Sequence, residues 1–515
     1  MDFVEILAPV ENPRFFCAKI EIMDREEAIE AEIDLEIIKK RSLRGVLSLV
    51  SRSFFIQAIA FASNFLLTIF LDPKTFGIFF LVSAFISFFT YFSDIGLAAA
   101  LIQKKEKLDL KDLRTTFTIQ QALVFGLLLV IFALSPWVKN LYDLSQSAVI
   151  LFYALGFSFF LSSLKTIPSI LLERSLKFNL LIIPQILETL VFNLLVVFLA
   201  WRGLGLASFT WAILVRGVVG VVAIYLIAPW RPGFAFSRQS LSQLLRFGIP
   251  FQANTLIAVL KDDLMTIFLG KIIGPVGLGY LGWAKRWAEQ PLRFLMDNVS
   301  KVAFPTFSRL QDEKVLLQKA IEKTLFFLSF LTFPILIGFS MIASDLIEII
   351  PQYLKWQPAL LALYFYSFNS AWATISTSMT NLLNAVGLIK KTFKLMVMWL
   401  ALSWILMPAL GIKFGYNGVA AATAIIALSS LVAIYLARQE VKFDWLGSVA
   451  KPLLAAGIMG VFLYFFRPSL ANLTLSLISR ALAGGTIYFL VSYLFFGQIL
   501  LRNIKQIIYE VRQRS

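Results

Sequence analysis

Charged residues inside long apolar segments are the feature of this sequence that could carry chemistry. Most of them lie in two consecutive segments, near 244–271 and 277–306, and they are Lys261, Asp262, Asp263, Lys285, Arg286, Glu289, Arg293, Asp297 and Lys301. A charge at the centre of a bilayer costs about 2.5–3.5 kcal/mol on insertion scales, so such residues usually face a partner or a water-filled cavity. The pattern predicts a polar chamber between the two segments.

The spacing of these charges also permits a second interpretation. Lys285, Glu289 and Arg293 follow one another at intervals of four with alternating sign, and Asp297 and Lys301 continue the series. Residues four apart are neighbours on one face of a helix, so the charges could neutralise one another. From the sequence, the charges are consistent either with a substrate cavity or with internal pairing alone.

The depth of the two charged groups is similar. Lys261–Asp263 precede the end of their segment by about ten residues, and Lys285 and Arg286 follow the start of theirs by about ten. Since a helix rises 1.5 Å per residue, both groups are expected at one level of the membrane.

Composition requires a membrane for these segments. Of 515 residues, 59% are hydrophobic and only 15% are charged, against roughly 25% charged in soluble domains. The chain lacks histidine and has one cysteine, Cys17, which excludes histidine acid–base catalysis, His or Cys metal sites and an internal disulfide. We therefore predict no cofactor, no metal and no catalytic residues. The net charge of +16 is assigned to cytoplasmic loops rather than to nucleic-acid binding.

Hydropathy predicts an all-α membrane protein with about fourteen transmembrane helices. The predicted spans lie near 44–70, 76–102, 115–138, 147–168, 180–201, 205–229, 244–271, 277–306, 320–344, 357–386, 389–411, 416–438, 446–467 and 475–500. Alternate loops are rich in Lys and Arg. The opposite loops carry one basic residue each, namely Lys74, Lys139, Arg202, Lys271, Lys355, Lys413 and Arg467. The positive-inside rule then predicts a multi-pass protein of the cytoplasmic membrane with both termini in the cytoplasm.

Short repeats indicate how the spans are grouped. Thr68–Leu71 matches Thr266–Leu269, and Val222–Leu226 matches Val432–Leu436, in the same order about 200 residues apart. We predict two six-helix bundles in parallel repeat, 43–230 and 231–440, as in parallel-repeat transporters. Residues 1–42 form an acidic cytoplasmic extension, and 441–515 add two helices and a basic tail.

Three stretches resemble the Wzx-type polysaccharide flippases of the MOP (multidrug/oligosaccharidyl-lipid/polysaccharide) exporter superfamily. They are SDIGLAAALIQKKE from Ser93, FPTFSRLQ from Phe304 and GYNGVAAA from Gly415. The resemblance implies a central cavity lined by the first, second, seventh and eighth helices. It also implies alternating access and transfer of undecaprenyl-pyrophosphate-linked oligosaccharide to the outer leaflet, with membrane lipids and polysaccharide assembly proteins as further partners.

On that resemblance, the candidate residues acquire roles. Those expected to contact pyrophosphate or sugar are Arg52, Lys261, Lys285, Arg286 and Arg293. Those expected to hold these cations in place, or to titrate if transport is coupled to protons or Na⁺, are Asp262, Asp263 and Glu289.

Two other functions compete with this hypothesis. A cation-coupled multidrug antiporter of the same superfamily would favour acidic and aromatic residues in the cavity, and the mixed charge disfavours it only mildly. A membrane glycosyltransferase or polysaccharide polymerase would need catalytic groups in a long exterior loop, whereas the predicted exterior loops are short and no phosphate-binding glycine-rich motif is present. We therefore predict a transporter rather than an enzyme.

Overall fold

The computed structural model describes residues 56–104, 106, 108–175, 177–468 and 473–512. The predicted extension 1–42, the start of the first predicted span, Cys17 and Arg52 lie outside them. Every regular element in the described part of the chain is helical.

The first half of the chain begins with a helix of the first predicted span and continues to Ile227. Its helices are α1 (Ile56–Phe70), α2 (Pro73–Thr90), α3 (Leu97–Gln103), α4 (Leu110–Leu141), α5 (Gln146–Leu164), α6 (Thr166–Arg174), α7 (Phe178–Trp201) and α8 (Leu206–Ile227). Within this half, α8 packs against α7 and α5, and α5 also packs against α2 and α4.

The second half follows an extended connection and includes two non-α segments, a π-helical turn Leu260–Leu264 and a 3₁₀ segment Pro351–Ala359. Its helices are α9 (Arg238–Val259), α10 (Met265–Arg309), α11 (Lys314–Ile349), α12 (Leu360–Ala385), α13 (Ile389–Leu428), α14 (Ser430–Glu440), α15 (Trp445–Phe465) and α16 (Leu473–Arg512). α12 packs against α10, α11 and α13, while α15 and α16 pack against α11. The predicted domain boundaries remain predictions.

By length and composition, ten helical segments of the described residues could cross a membrane. This confirms the all-α membrane class, while the number fourteen stays a prediction. α10 and α13 have 45 and 40 residues, and a bilayer core about 30 Å thick needs only about 20.

Each of these two long helices folds back on itself at one glycine. The backbone is non-helical at Gly274 (φ 69°, ψ 172°) and at Gly415 (φ 62°, ψ −147°), a positive φ that glycine adopts without steric cost. A Cβ on Gly418 would lie 2.0 Å from the Leu410 carbonyl oxygen, although residues eight apart in a straight helix are about 12 Å apart. The two arms of each helix are therefore antiparallel, as predicted for two consecutive spans.

The second predicted span, 76–102, is present as Pro73–Ser93, but it does not continue to residue 102 as one helix. A 3₁₀ turn at Tyr91–Ser93 is followed by positive φ at Ile95 (49°) and Gly96 (76°) before α3 begins. The Asp94 carboxylate accepts from the Ala98 amide at 3.1 Å and so caps α3. The break exists because Gly96 packs directly on the backbone of Gly248 in α9, where a Cβ would lie 2.2 Å from the Gly248 carbonyl oxygen.

The two halves meet tightly where α2 begins and α10 turns. A Cβ on Gly77 would lie 1.6 Å from the Pro275 carbonyl oxygen, and one on Gly279 would lie 1.9 Å from that of Pro73. The 3₁₀ segment extends this contact onto α1. The Trp356 indole and the Lys355 ammonium donate to the carbonyls of Thr68 (2.8 Å) and Ile69 (2.7 Å).

The Thr68 and Tyr353 hydroxyls are hydrogen-bonded to each other, which completes the contact between α1 and the 3₁₀ segment. We call the contacts of Thr68, Gly77, Pro275, Gly279, Tyr353 and Trp356 the seal.

We predict that Gly77→Ala and Gly279→Ala each lower the unfolding midpoint of the purified protein in detergent. The new methyl group must push a backbone carbonyl away, and overpacking of this kind costs about 1–3 kcal/mol. Gly126→Ala is the control, because a Cβ at Gly126 meets nothing within 4 Å and the helix interior favours alanine over glycine. Equal midpoints for the three variants would contradict the close contact.

Candidate functional site

The π-helical turn carries three of the predicted residues, Lys261, Asp262 and Asp263. π turns are rare and frequently occur at functional sites. An additional polar contact supports this one, since the Trp404 indole N–H of α13 donates to the Leu260 carbonyl oxygen at 3.2 Å. The turn interrupts the regular helix at the position where the sequence places its first cluster of charges.

Asp263 connects the two halves of the chain. Its carboxylate accepts from the Ser87 hydroxyl of α2 at 2.9 Å, and Lys285 lies within electrostatic range of it. Gly274, where α10 folds back, is midway in sequence between Asp263 and Lys285, so the hairpin brings them to one level. Asp262 lies 3.7 Å from the Lys261 ammonium, and both side chains are substantially exposed.

Glu289 lies between two cations on α10. Its carboxylate is 3.9 Å from Lys285 Nζ and 3.1 Å from Arg293 Nη2. Internal pairing therefore does occur along this face, but the Arg293 side chain remains 72% exposed while that of Glu289 is only 19% exposed. The arrangement compensates charge and still leaves both cations accessible to a ligand.

Arg286 is the predicted residue that contacts α1 and α2 from α10. Its Nη1 donates to Asn64 Oδ1 at 2.7 Å, and its guanidinium carbon lies 5.6 Å from the centre of the Phe80 ring. Gly282 admits that ring, because a Cβ there would lie 2.0 Å from Phe80 Cε2. The Arg286 residue is nevertheless partly accessible, although its guanidinium group lies among protein atoms.

The structure thus brings together six of the eight predicted residues around the α10 hairpin: Lys261, Asp262, Asp263, Lys285, Arg286 and Glu289. Arg293 extends the group along α10, and Arg52 lies outside the described residues. The sequence reasoning missed Asn64, Ser87 and Phe80, which complete the site. Uncharged residues of these types are common in membrane helices and gave no signal of their own.

A second charged cluster lies within the first half. Glu188 of α7 is 2.6 Å from Lys165 Nζ and 3.5 Å from Arg216 Nε of α8. The Glu188 side chain is only 10% exposed, and Gly220 packs directly against it. Because Glu188 is buried and has two cationic partners, we interpret this cluster as ion pairs that stabilise the packing of the first half.

No group of three or more His, Cys, Asp or Glu residues that could hold a metal ion occurs in the described ranges. The arrangement around Arg286 can instead bind an anionic group through exposed cations whose positions are set by Asn64 and Glu289.

The fold is that of known membrane transporters. The structure resembles the lipid II flippase MurJ in an inward closed conformation, with 18% sequence identity and a TM-score of 0.69 over 88% of this chain and 99% of that one. It also resembles an inward-facing multidrug resistance MATE family transporter of the MOP superfamily, with 16% identity and a TM-score of 0.57 over 74% and 94% of the two chains. The chain is therefore a multi-pass α-helical membrane protein that shares the fold of these two transporters.

Within that class, the chain belongs to the polysaccharide biosynthesis protein family, whose model matches residues 66–359. This confirms the resemblance to Wzx-type proteins.

Three curated relatives agree with this membership. The lipopolysaccharide biosynthesis protein WzxC of Escherichia coli (strain K12) is 22% identical over 63% of this chain and 66% of its own length. The teichuronic acid biosynthesis protein TuaB of Bacillus subtilis (strain 168) is 24% identical over 48% and 51%. The succinoglycan biosynthesis transport protein ExoT of Rhizobium meliloti (strain 1021) is 20% identical over 59% and 59%. The chain spans about half to two thirds of the length of these relatives.

Glu188 and Glu289 each pair with two cations, and we predict that neutralising them changes the free energy of unfolding by different amounts. Glu188→Gln should destabilise the protein by several kcal/mol, because it leaves Lys165, whose side chain is only 18% exposed, without its counter-charge. Glu289→Gln should cost less than about 1 kcal/mol, because its cations are exposed. Unfolding of the two purified variants in detergent tests this, and a larger loss for Glu289→Gln would reverse the assignment of structural and accessible charge.

Proposed function

We propose that this chain is a flippase that carries a lipid-linked oligosaccharide across the cytoplasmic membrane by alternating access. The observation that carries the proposal is Arg286, whose guanidinium is held between α1, α2 and α10 in a member of the polysaccharide biosynthesis family. An arginine fork suits a phosphate or pyrophosphate group, because its donors match two oxygens at once.

The surrounding charges support a pyrophosphate-linked substrate. Lys285 and Arg293 lie on the same helix with their side chains exposed, so they can approach a second phosphate while Glu289 keeps them in position. We propose undecaprenyl pyrophosphate as the carrier, with its tail in the bilayer and polysaccharide assembly proteins as partners.

The seal supplies one end state of the transport cycle. It holds the two halves together at the end of the molecule that contains Gly274. The exposed charges on the α10 hairpin remain accessible. On the orientation predicted from the basic loops, the closed end is the outer one, and the substrate enters from the cytoplasmic leaflet. Asp262 and Asp263 lie at the π turn between the halves, which suits them to respond to protons or Na⁺ if transport is coupled.

A multidrug antiporter is the second candidate, because the fold is shared with a MATE family transporter and acidic residues lie on the π turn. An organic cation would be bound by Asp262 and Asp263, whereas a pyrophosphate would be bound by the arginines. An enzyme is the least supported alternative, since the charged groups around Arg286 form ion pairs and hydrogen bonds suited to binding.

We predict that Arg286→Gln combined with Arg293→Gln lowers surface glycan at least tenfold in cells that have this variant as their only copy. Loss of the two cations removes the contacts proposed for pyrophosphate. Arg467→Gln, in a predicted exterior loop, is the control and should leave glycan unchanged. Normal glycan in the double variant at normal protein level would reject the site.

Drug tolerance measured in the same strains separates the two candidate functions. Loss of tolerance without loss of glycan, in a strain that lacks this protein, would favour the multidrug antiporter over the flippase.

The predicted orientation can be tested with the single native cysteine. Cys17 should react with a membrane-impermeant maleimide in inverted vesicles and remain unlabelled in intact cells, because the N-terminal residues are predicted in the cytoplasm. Lys271→Cys in a Cys17→Ser background is the matched control and should show the opposite pattern. Labelling of Cys17 in intact cells would invert the topology.

A further inference from the structure

A row of stacked aromatic rings lies beside Arg286 in the second half of the chain. Trp356 and Trp283 stack with centroids 5.5 Å apart and planes at 11°, and Trp287 and Phe339 stack at 5.1 Å and 17°. The ring centroids of Trp283 and Trp287 lie 6.3 Å apart. We call Trp356, Trp283, Trp287 and Phe339 the aromatic ladder.

The ladder is covered by residues of the first half. Phe61 and Phe65 of α1 meet the Trp287 ring edge-on at 5.1 and 6.3 Å, and Phe76 of α2 meets Trp356 at 5.5 Å. The ladder itself comes from α10, α11 and the 3₁₀ segment, all in the second half. Separation of the halves at the seal would therefore uncover one side of the ladder.

Two indole N–H groups of the ladder have no partner in this closed arrangement. Trp283 and Trp287 are only 3% and 6% exposed, and within the described residues neither Nε1 makes a hydrogen bond. Buried donors are nearly always satisfied in folded proteins, so an unsatisfied pair calls for an explanation. Trp356 has a partner, the Thr68 carbonyl, but that partner belongs to the half that would move away.

The position of the two tryptophans relates them to Arg286. Trp283 and Trp287 are one helical turn apart on α10, and Arg286 lies between them in sequence, so all three belong to the same two turns. A ligand whose phosphate is held by Arg286 would have its adjoining groups next to the ladder once the halves separate.

We propose that the aromatic ladder is the binding surface for the oligosaccharide portion of the substrate in the outward-open state. Sugar rings present apolar C–H faces that stack on indole rings, and their hydroxyl oxygens accept from N–H groups. Opening of the seal offers three such donors in a row, from Trp356, Trp283 and Trp287. The proposal rests on the flippase function proposed above and identifies which part of that substrate the ladder contacts.

The first test uses variants that keep an aromatic ring but remove the donor. Trp283→Phe combined with Trp287→Phe should lower surface glycan at least tenfold at normal protein level, in cells with no other copy. Trp211→Phe, which lies on an exposed part of α8, is the matched control and should leave glycan unchanged. Normal glycan in the double variant would overturn the role of the ladder, whereas wild-type chain that restores no glycan would reject the flippase function itself.

The second test measures binding on the wild-type protein. Fluorine NMR of wild-type protein containing 5-fluorotryptophan, assigned by single Trp→Phe variants, should show the Trp283 and Trp287 signals shift when lipid-linked oligosaccharide extracted from wild-type cells is added. The Trp211 signal should stay in place.

A reversible cross-link across the seal provides the decisive comparison. Thr68→Cys with Tyr353→Cys, in a Cys17→Ser background, should lose those shifts when the two thiols are joined by a bis-methanethiosulfonate cross-linker and regain them after reduction, because a linker of this kind fills the space that the Tyr353 ring leaves. Shifts that persist in the cross-linked protein, or Trp283 and Trp287 signals that never move although the oligosaccharide binds, would overturn the proposal.

Discussion

The close backbone contact between α2 and α10 is the constraint on which the rest of this structure depends. Gly77 lies against the Pro275 carbonyl and Gly279 against that of Pro73, and a Cβ at either glycine would force the helices apart. This contact brings Ser87 to Asp263 and Phe80 beneath Arg286. It also places the aromatic rings of α1 and α2 against Trp287 and Trp356. A site shared by two halves exists here because their backbones approach this closely.

The charged residues in the membrane segments offset the free-energy cost of their burial in two different ways. Glu188 is buried and pairs with the largely buried Lys165 and the half-exposed Arg216, so its charge is compensated by the protein and supports the packing of helices. Around the α10 hairpin, Glu289 is partly buried while Lys285 and Arg293 remain exposed. On the proposed function, exposed cations can take up an anionic ligand at little desolvation cost, as the binding and release of a pyrophosphate would require.

The closed seal and the unsatisfied indole N–H groups both affect the free-energy balance between the closed and open states. A transporter that alternates between two states needs them to differ in free energy by only a few kcal/mol. Extensive aromatic packing across the seal favours the closed state, whereas two buried donors without partners in the described residues disfavour it. On the proposed function, the substrate supplies those partners in the open state and so binds it preferentially, which is the condition for a ligand to shift the equilibrium.

Hydropathy and charge determined the membrane class, the helical architecture, the two antiparallel hairpins and the placement of the charged residues at one level, because each of these follows from the cost of polar groups in hydrocarbon. The sequence did not determine the π turn at Lys261–Asp263, the break at Gly96 or the partners Asn64 and Ser87. Those depend on which backbone lies opposite, as the contact of Gly96 with Gly248 illustrates. Aromatic residues are abundant throughout the chain, so only the tertiary structure could distinguish the stacked tryptophans beside Arg286 from rings that face lipid.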